Sequence, residues 1–412
     1  MHARPLLAAA ILLSACGAEP REVTAADPEV ARVAAENNAF TLDLHKALAA
    51  EGGNLFHSPF SANAALSMTW AGARGTTADE MADVLHMEAD APHHGPLGGL
   101  IRDLNGEHRR AYTLDVANRI WGHDSYTWSS EFQAINADSY DAPMVITDIK
   151  GNPEATRTEI NSWVADVTHD KIPELLAAGL IDGSTAMVLV NAIYFKADWA
   201  QAFEEKDTYA APFYRLDGSS VDVDTMHGEM EVAIASGEGF SAAGLPYGED
   251  AEVRMWVLLP DEDSDLPSLE ASLDAASLDA ALNGAGIREE VQVALPKLEL
   301  RTQVNLNQPL ADLGMPSAFD PIEADFSGMI EGAPAGGSDL FIGDVVHEAY
   351  VKIDERGTEA AAATAVIMND TAFEEPQVFT IDRPFLFLVR DELSGAILFM
   401  GRIEDPSTAS AQ

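Results

Sequence analysis

The stretch Ala186-Met-Val-Leu-Val-Asn-Ala-Ile-Tyr-Phe195 is a nearly continuous run of apolar residues, many of them β-branched or large. A strand with one solvated face alternates apolar and polar side chains, whereas a strand that is covered on both faces is apolar throughout. The run therefore predicts a central strand buried on both faces of a sheet.

Further strand patterns follow in the second half of the chain. Val253–Leu259 is apolar and ends at a proline, and Leu386–Val389 and Ala396–Met400 flank Asp391–Gly395, a turn signal that predicts a hairpin. Helical patterns are concentrated in the first half. This arrangement predicts a mixed α+β protein and not repeated βαβ units.

Two of these helices show clear end signals. Phe40–Ala50 is amphipathic and stops before a pair of glycines. Ser58 and Pro59 open a second helix that runs to Trp70, with serine as the cap and proline in the first position.

Composition excludes some classes of partner. The 412 residues are 47% hydrophobic, and 24 basic against 68 acidic residues give a net charge of -44. Such a surface repels nucleic acid and anionic membranes, because binding to phosphate needs clustered cations. An acidic soluble surface is one interpretation, and adaptation to high salt, where screening removes self-repulsion, is the other.

The first sixteen residues resemble a lipoprotein signal peptide. A basic start is followed by the apolar stretch 6–13 and by Leu13-Ser-Ala-Cys16, which looks like a bacterial lipobox with Cys16 as the lipidated residue. The stretch is too short to span a bilayer as a mature helix. We expect export to the periplasm or the exterior, a lipid anchor in a bacterial membrane, and a flexible tether over residues 17–36. An ordinary secretion signal with an incidental cysteine is the alternative.

Catalytic motifs for hydrolysis, phosphate binding or metal binding are missing from the sequence. The adjacent His93 and His94 lack a third ligand at a standard spacing and are interpreted as part of an exposed loop. We expect neither enzymatic activity nor a cofactor or metal.

The segment most suggestive of function is Glu355-Arg-Gly-Thr-Glu-Ala-Ala-Ala-Ala-Thr-Ala365, which begins a connection of about thirty residues between two strand patterns. Alanines favour helix, yet the segment also reads as a strand with two distinct faces. One face, residues 358, 360, 362, 364, 366 and 368, carries no charge and no proline. Such a segment can be exposed in one state and enter a sheet in another. A flexible linker is the alternative interpretation.

Several motifs in a fixed order make the chain resemble the serpin family over residues 37–406. The motifs are Asn54–Ala62, Leu189–Trp199, Leu245–Gly248 with Val257–Glu262, Leu295–Leu298 with Ala324–Gly328, Asp382–Phe387, and Ile397–Arg402. The resemblance implies three β-sheets, eight to nine helices and an exposed reactive-centre loop at about 355–383, with 407–412 as a tail. It also implies a monomeric suicide inhibitor of serine proteases, in which the cleaved loop inserts into the main sheet.

Functional residues carry over from the resemblance by motif. The reactive bond falls between Thr371 and Ala372, with Asp370 and Phe373 as alternative positions for the residue before the cut. A small threonine suits an elastase- or subtilisin-like protease, and Phe373 would suit a chymotrypsin-like one; cysteine proteases remain open as targets. The loop's hinge comprises Glu355, Gly357, Thr358, Glu359, Ala360, Ala361, Ala362 and Ala363.

The resemblance also places residues beneath the main sheet. Ser58, Ser61, Asn191 and His347 match the shutter, where polar side chains hydrogen-bond under the opening sheet, and Trp199 matches the breach, where the loop first enters. Ordinary capping and core packing are the alternatives for each. The rival function is a non-inhibitory serpin that is cleaved as a substrate or acts as a carrier or storage protein.

Overall fold

The computed structural model describes residues 27–106, 112–334, 339–358 and 377–408. In these residues nine α-helices occur: α1 Pro28–Ala49, α2 Pro59–Trp70, α3 Gly75–Val84, α4 His94–Leu104, α5 Ser130–Tyr140, α6 Pro153–Val167, α7 Leu266–Ser272, α8 Ala275–Asn283 and α9 Asn307–Leu313. The strands are β1 Leu55–His57, β2 Tyr112–His123, β3 Met144–Thr147, β4 Met187–Asp198, β5 Thr208–Tyr214, β6 Ser220–Gly237, β7 Phe240–Tyr247, β8 Val253–Pro260, β9 Gly286–Pro296, β10 Leu298–Asn305, β11 Val346–Asp354, β12 Gly357–Thr358, β13 Val378–Thr380, β14 Phe385–Asp391 and β15 Ile397–Ile403.

The described strands pair into two sheets. One has nine strands in the order β1-β15-β14-β8-β7-β6-β9-β13, with β5 also on β6, and the other has six in the order β10-β11-β12-β4-β2-β3. Three sheets were expected, whereas the described strands form two, because the long strand β6 joins what would be two smaller sheets into the nine-stranded one. The first half of β6 pairs with β5, its last residues pair with β7, and β9 pairs along its middle, so hydrogen bonding does not separate the two smaller sheets.

The predicted central strand and hairpin are both present. The run from Ala186 to Phe195 lies in β4, which pairs with β2 over eleven residues on one side. Strands β14 and β15 form the hairpin, and every residue of both strands is buried. Apolar runs of this kind are what a strand covered on both faces requires, and the α+β class predicted from the sequence is confirmed.

Helix α1 begins earlier than expected, at Pro28, so the part of the proposed tether after residue 27 is helical. Asp27 caps the helix by accepting from the backbone N–H of Glu29, and proline occupies the first turn, where its missing N–H costs nothing. Val33 and Glu36 are already buried. No helix in the described part of the chain is long and apolar enough to cross a membrane.

Candidate functional site

Strand β12 lies in the middle of the six-stranded sheet, between β11 and β4, and it pairs with the last residues of these two strands. Thr358 is opposite Ile353 on β11 and opposite Ala197 on β4, antiparallel to both. The two flanking strands therefore run parallel to each other, and β12 is the first two residues of a strand between them.

Gly357 makes this entry possible because its backbone has φ +147°, in the left-handed region that favours glycine. A Cβ at this position would lie 2.1 Å from the carbonyl oxygen of Ala197 and 2.8 Å from Cα of Asp198. A larger residue would push the chain away from β4.

Thr358 is buried and its side chain points toward the core. Its hydroxyl lies 2.7 Å from the hydroxyl of Tyr247, and the Tyr247 ring stacks on Trp199 with 4.5 Å between ring centroids. Burial raises the pKa of Tyr247, so its hydroxyl stays protonated. Trp199 in turn donates from Nε1 to the carbonyl of Asp354 at 3.0 Å. Trp199, the residue predicted for the breach, thus contacts both the turn before β12 and Tyr247.

Glu355 anchors the turn between β11 and β12. Lys297 Nζ lies 2.9 Å from each of its carboxylate oxygens, and the Thr208 hydroxyl donates to it at 2.8 Å. Burial acts to raise the pKa of Glu355, but the hydrogen bonds from Lys297 and Thr208 outweigh it, and the pKa is lowered. The carboxylate is therefore charged at neutral pH.

Below Thr358 the strands β4 and β11 form no hydrogen-bonded ladder with each other in the described residues. A narrow groove lies between Ile193–Phe195 and Tyr350–Lys352. Beyond it is a cavity of about 360 Å³, lined by Met187–Asn191 of β4, by Val346 and His347 of β11, and by helix α2. We call this groove and cavity together the slot.

The segment after α6 spans the slot. His169 packs on Tyr194 of β4, with 4.4 Å between ring centroids, and Lys171 Nζ lies 5.3 Å from the ring of Tyr350 on β11. Thr168 and Ile172 line the groove between these strands. Separating β4 and β11 therefore disturbs this segment as well.

Three of the four predicted shutter residues meet at the start of α2. The Ser58 hydroxyl caps the helix by accepting from Ser61 N–H at 3.2 Å and donates to the carbonyl of Leu398 at 2.8 Å. Ser58 N–H donates to His347 Nε2 at 2.9 Å. Burial lowers the pKa of His347 to about 4, so the ring is neutral and accepts this bond.

The fourth, Asn191, has a different partner. Its Nδ2 donates to Oδ1 of Asn118 on β2 at 2.6 Å, and it meets Ser61 and His347 only as part of the cavity lining. Oδ1 of Asn191 and Nδ2 of Asn118 are buried without a hydrogen-bond partner in the described part of the chain. Unpaired polar atoms of this kind are unfavourable when buried.

Several expected residues lie outside the described ones: Cys16, Glu359, Ala360, Ala361, Ala362, Ala363, Asp370, Thr371, Ala372 and Phe373. Other residues of the site were not singled out from the sequence, namely Tyr247, Asn118, Lys297 and Thr208. Tyr247 and Lys297 do fall inside motifs quoted for the family resemblance. No local pattern marks Asn118 or Thr208, whose partners are distant in the chain.

One group in the described residues brings three possible metal ligands together. His123, Asp124 and Asp148 place ligand atoms within 4.8 Å of one another, where β2 and β3 end. However, Asp148 already accepts hydrogen bonds from Gly151 N–H and from Asn152 Nδ2. These hydrogen bonds explain the position of the Asp148 carboxylate, which stabilises the turn that follows β3.

Comparisons with known proteins agree with this architecture. The family model described as "Serpin (serine protease inhibitor)" matches residues 35–406. The chain is 36% identical to the human leukocyte elastase inhibitor over 384 residues, which is 91% of this chain and all of that protein. Among solved structures it is similar to maspin (25% identity, TM-score 0.83, covering 92% of this chain and 100% of that one) and to a thyroxine-binding globulin complex with thyroxine (27%, 0.78, 91% and 99%). Through its family match, its relatives and its fold, the chain belongs to the serpins.

Proposed function

We propose that this protein is a suicide inhibitor of serine proteases that traps the acyl-enzyme by inserting its cleaved loop into the slot. The observation that carries this proposal is the position of β12, a strand already begun between β4 and β11 above space that no described strand fills. The family match and the relationship to an elastase inhibitor support protease inhibition in general.

The register of β12 predicts where the inserted residues lie. Continued antiparallel from Thr358, residues 359–368 would face β4 from Lys196 down to Met187, and residues 359–365 would face β11 from Lys352 down to Val346. Thr358 points inward, so period two turns the even-numbered residues to the core and leaves Glu359 outside. This is the uncharged face of the segment.

The same register gives Thr364 a specific role. It would lie in one row with Asn191 on β4 and His347 on β11, both of which line the cavity. Its hydroxyl would come close to Asn191 Oδ1, the buried acceptor that lacks a donor. We infer that insertion satisfies this atom.

The chemistry belongs largely to the target. Its serine Oγ attacks the carbonyl carbon of Thr371, and the target's general base takes the hydroxyl proton and passes it to the nitrogen of Ala372. The bond to Ala372 breaks, Ala372 leaves as an amine, and an ester joins the inhibitor to the protease. Insertion must then be faster than hydrolysis of this ester. Ten residues facing β4 and seven facing β11 add backbone hydrogen bonds worth about 1 kcal/mol each, which sum to on the order of 10 kcal/mol.

Mixing the protein with elastase-, subtilisin- and chymotrypsin-like proteases and running denaturing gels tests the function. We expect a covalent adduct with at least one of them, and mass spectrometry should find Ala372 at the new amino terminus. Cleaved monomer alone with every protease would contradict inhibition. It would favour the substrate or carrier function, which the likeness to a thyroxine-binding globulin also supports.

A matched pair of variants tests the predicted faces. Ala360→Arg would place a charge on the inward face and should convert the inhibitor into a substrate, because insertion would bury an unpaired cation. Ala361→Arg would place the same charge on the outward face and should retain adduct formation. Equal behaviour of the two variants would contradict the register.

We also infer from residues 1–16 that the protein is exported and lipid-anchored through Cys16 in a bacterial membrane. Expression of the wild type and of Cys16→Ser, followed by fractionation, tests this. We expect wild-type protein in the membrane fraction and the variant in the soluble exported fraction. Equal distribution of the two would contradict the anchor.

A further inference from the structure

A chain of buried ionisable side chains lies outside the slot and joins α7, α1, β1 and β15. His45 Nε2 is 2.8 Å from Glu270 Oε1, and His45 Nδ1 is 3.2 Å from His57 Nε2. The two imidazole rings stack with 5.5 Å between centroids. Arg402 Nε lies 3.2 Å from the same oxygen of Glu270, and all four side chains are almost completely buried.

These contacts determine where the protons lie at neutral pH. A carboxylate can only accept hydrogen bonds, so His45 carries its proton on Nε2 and donates a hydrogen bond from it to Glu270. In the neutral ring the Nδ1 of His45 then accepts, and His57 donates to it from Nε2. His57 Nδ1 is left as a bare lone pair, buried and without a hydrogen-bond partner in the described residues.

An additional proton has no favourable position in this pair. On His57 Nδ1 it would find no acceptor. On His45 Nδ1 it would turn the shared hydrogen bond into a contact between two donors, unless His57 moved its own proton to the same unpartnered Nδ1. Taking up a proton therefore breaks the contact between the rings or leaves a buried N–H unsatisfied, and both outcomes favour movement of β1.

The surroundings oppose the charge further. The titratable and charged groups that face the pair are Glu270 on α7, Lys46 on α1, Arg402 on β15 and His347 on β11. Burial lowers the pKa of His45, against the attraction of Glu270. Burial, followed by the positive charges of His45 and His347 when protonated, holds the pKa of His57 well below its usual range.

The pair is directly connected to the slot. His57 is followed by Ser58, whose backbone N–H donates to His347 and whose hydroxyl caps α2. Both α2 and His347 line the cavity between β4 and β11. A displacement of His57 therefore also displaces Ser58, which contacts His347 and caps α2, and both of these line the slot.

We propose that the His45–His57 pair is an acid-triggered release that frees Ser58 and α2 and so opens the slot between β4 and β11. The displacement of β1 is inferred from the contacts of His45 and His57 alone, whereas its effect on loop insertion rests on the proposed function. The consequence is an inhibitor whose slot opens faster in an acidic medium than at neutral pH.

Hydrogen–deuterium exchange of the uncleaved full chain tests the first step. After correction for the intrinsic pH dependence of exchange, the segment from Leu55 to Phe60 should exchange about tenfold faster at pH 5.0 than at pH 7.5, which corresponds to one pKa unit of differential interaction. His57→Phe and His57→Gln, the second of which keeps a donor for His45 without a basic site, should lose this dependence. His86→Phe, which removes an exposed histidine paired with Asp43, should behave like the wild type. Equal pH dependence in all four proteins would overturn the proposal.

A protease-independent measurement tests the second step. A labelled synthetic peptide with the sequence of residues 358–371 should bind the wild type several-fold faster at pH 5.0, and the His57 variants at a rate that does not change with pH. A peptide that binds at the same rate at both pH values would show that the release does not reach the slot. If the peptide never binds while the exchange still responds to pH, the slot of the proposed function fails and the local release stands.

Discussion

The two sheets of this serpin differ in how completely their strands are paired. In the nine-stranded sheet the neighbours β8, β14 and β15 are paired along nearly their whole length, and all of their residues are buried. In the six-stranded sheet the only described residues that pair with both β4 and β11 are the two residues of β12. Among the described residues, β8, β14 and β15 each have a neighbouring strand on both sides, whereas no described strand lies between β4 and β11 beyond Thr358, next to the cavity. This difference indicates that a further strand would add stabilising hydrogen bonds to the six-stranded sheet, between β4 and β11.

The largest expected effect comes from filling the slot. Cleavage of the chain between Thr358 and Val378 should raise the midpoint of thermal unfolding by more than about 10 °C, because ten new strand residues contribute on the order of 10 kcal/mol. Differential scanning calorimetry before and after limited proteolysis measures this. The Ala360→Arg variant, cleaved in the same way, should gain little. A wild-type midpoint that stays constant would contradict an unfilled slot.

A matched pair of leucines compares the two sheets directly. Leu388→Ala on β14 removes a side chain that is 0% exposed and should lower the free energy of unfolding by about 3–4 kcal/mol. Leu189→Ala on β4, which lines the cavity, should cost about 1–2 kcal/mol, because part of that environment is already open. Urea unfolding measures both. Equal losses would mean that β4 is packed as tightly as β14.

The pH dependence of stability reports on the burial of His347, which lines the slot. Burial lowers the pKa of His347 to about 4, so the unfolded chain binds more protons between pH 4 and about 6.5, and stability falls as the pH drops through this range. His347 accounts for about 3 kcal/mol of this loss. His347→Gln should therefore lose about that much less between pH 7 and pH 4 in urea titrations. A variant with the wild-type slope would show that His347 is not buried in this way.

The smallest expected effect concerns the turn before β12. Lys297→Met removes the cation held by Glu355 and should cost about 1 kcal/mol, since Glu355 stays largely buried without its partner. Lys352→Met serves as the control, because its contact with Asp354 is 3.7 Å and partly exposed. Its stability should hardly change. Equal effects from the two variants would assign no special role to Glu355.

Much of this comparison could be predicted from the sequence. The apolar run in β4, the hairpin of β14 and β15, and the serine cap of α2 all depend on neighbouring residues, whose spacing is visible in the chain. The position of Gly357 before an uncharged strand face was also visible. The structure adds that Thr358 is already paired on both sides.

Other features depend on contacts between distant residues and leave no local signal. Helix α1 was expected to begin after a tether, but its first turns are held by packing against other elements. His93 was expected in an exposed loop, yet it is buried beside Ser67, with Nε2 2.9 Å from the hydroxyl. The partner of Asn191 is Asn118, 73 residues away. The His45–His57 pair likewise exists only because α1 and β1 meet.

Gly357 has a kinetic consequence. The first residues of a strand are the least favourable to form, because ordering their backbone costs conformational entropy before the inter-strand hydrogen bonds offset it. Gly357 and Thr358 are already paired with β4 and β11 in the uncleaved chain, so under the proposed mechanism insertion would extend an existing strand instead of starting a new one. Under that mechanism the rate of trapping would be set by how readily β4 and β11 separate, and therefore by residues between and beneath these strands that do not contact the protease.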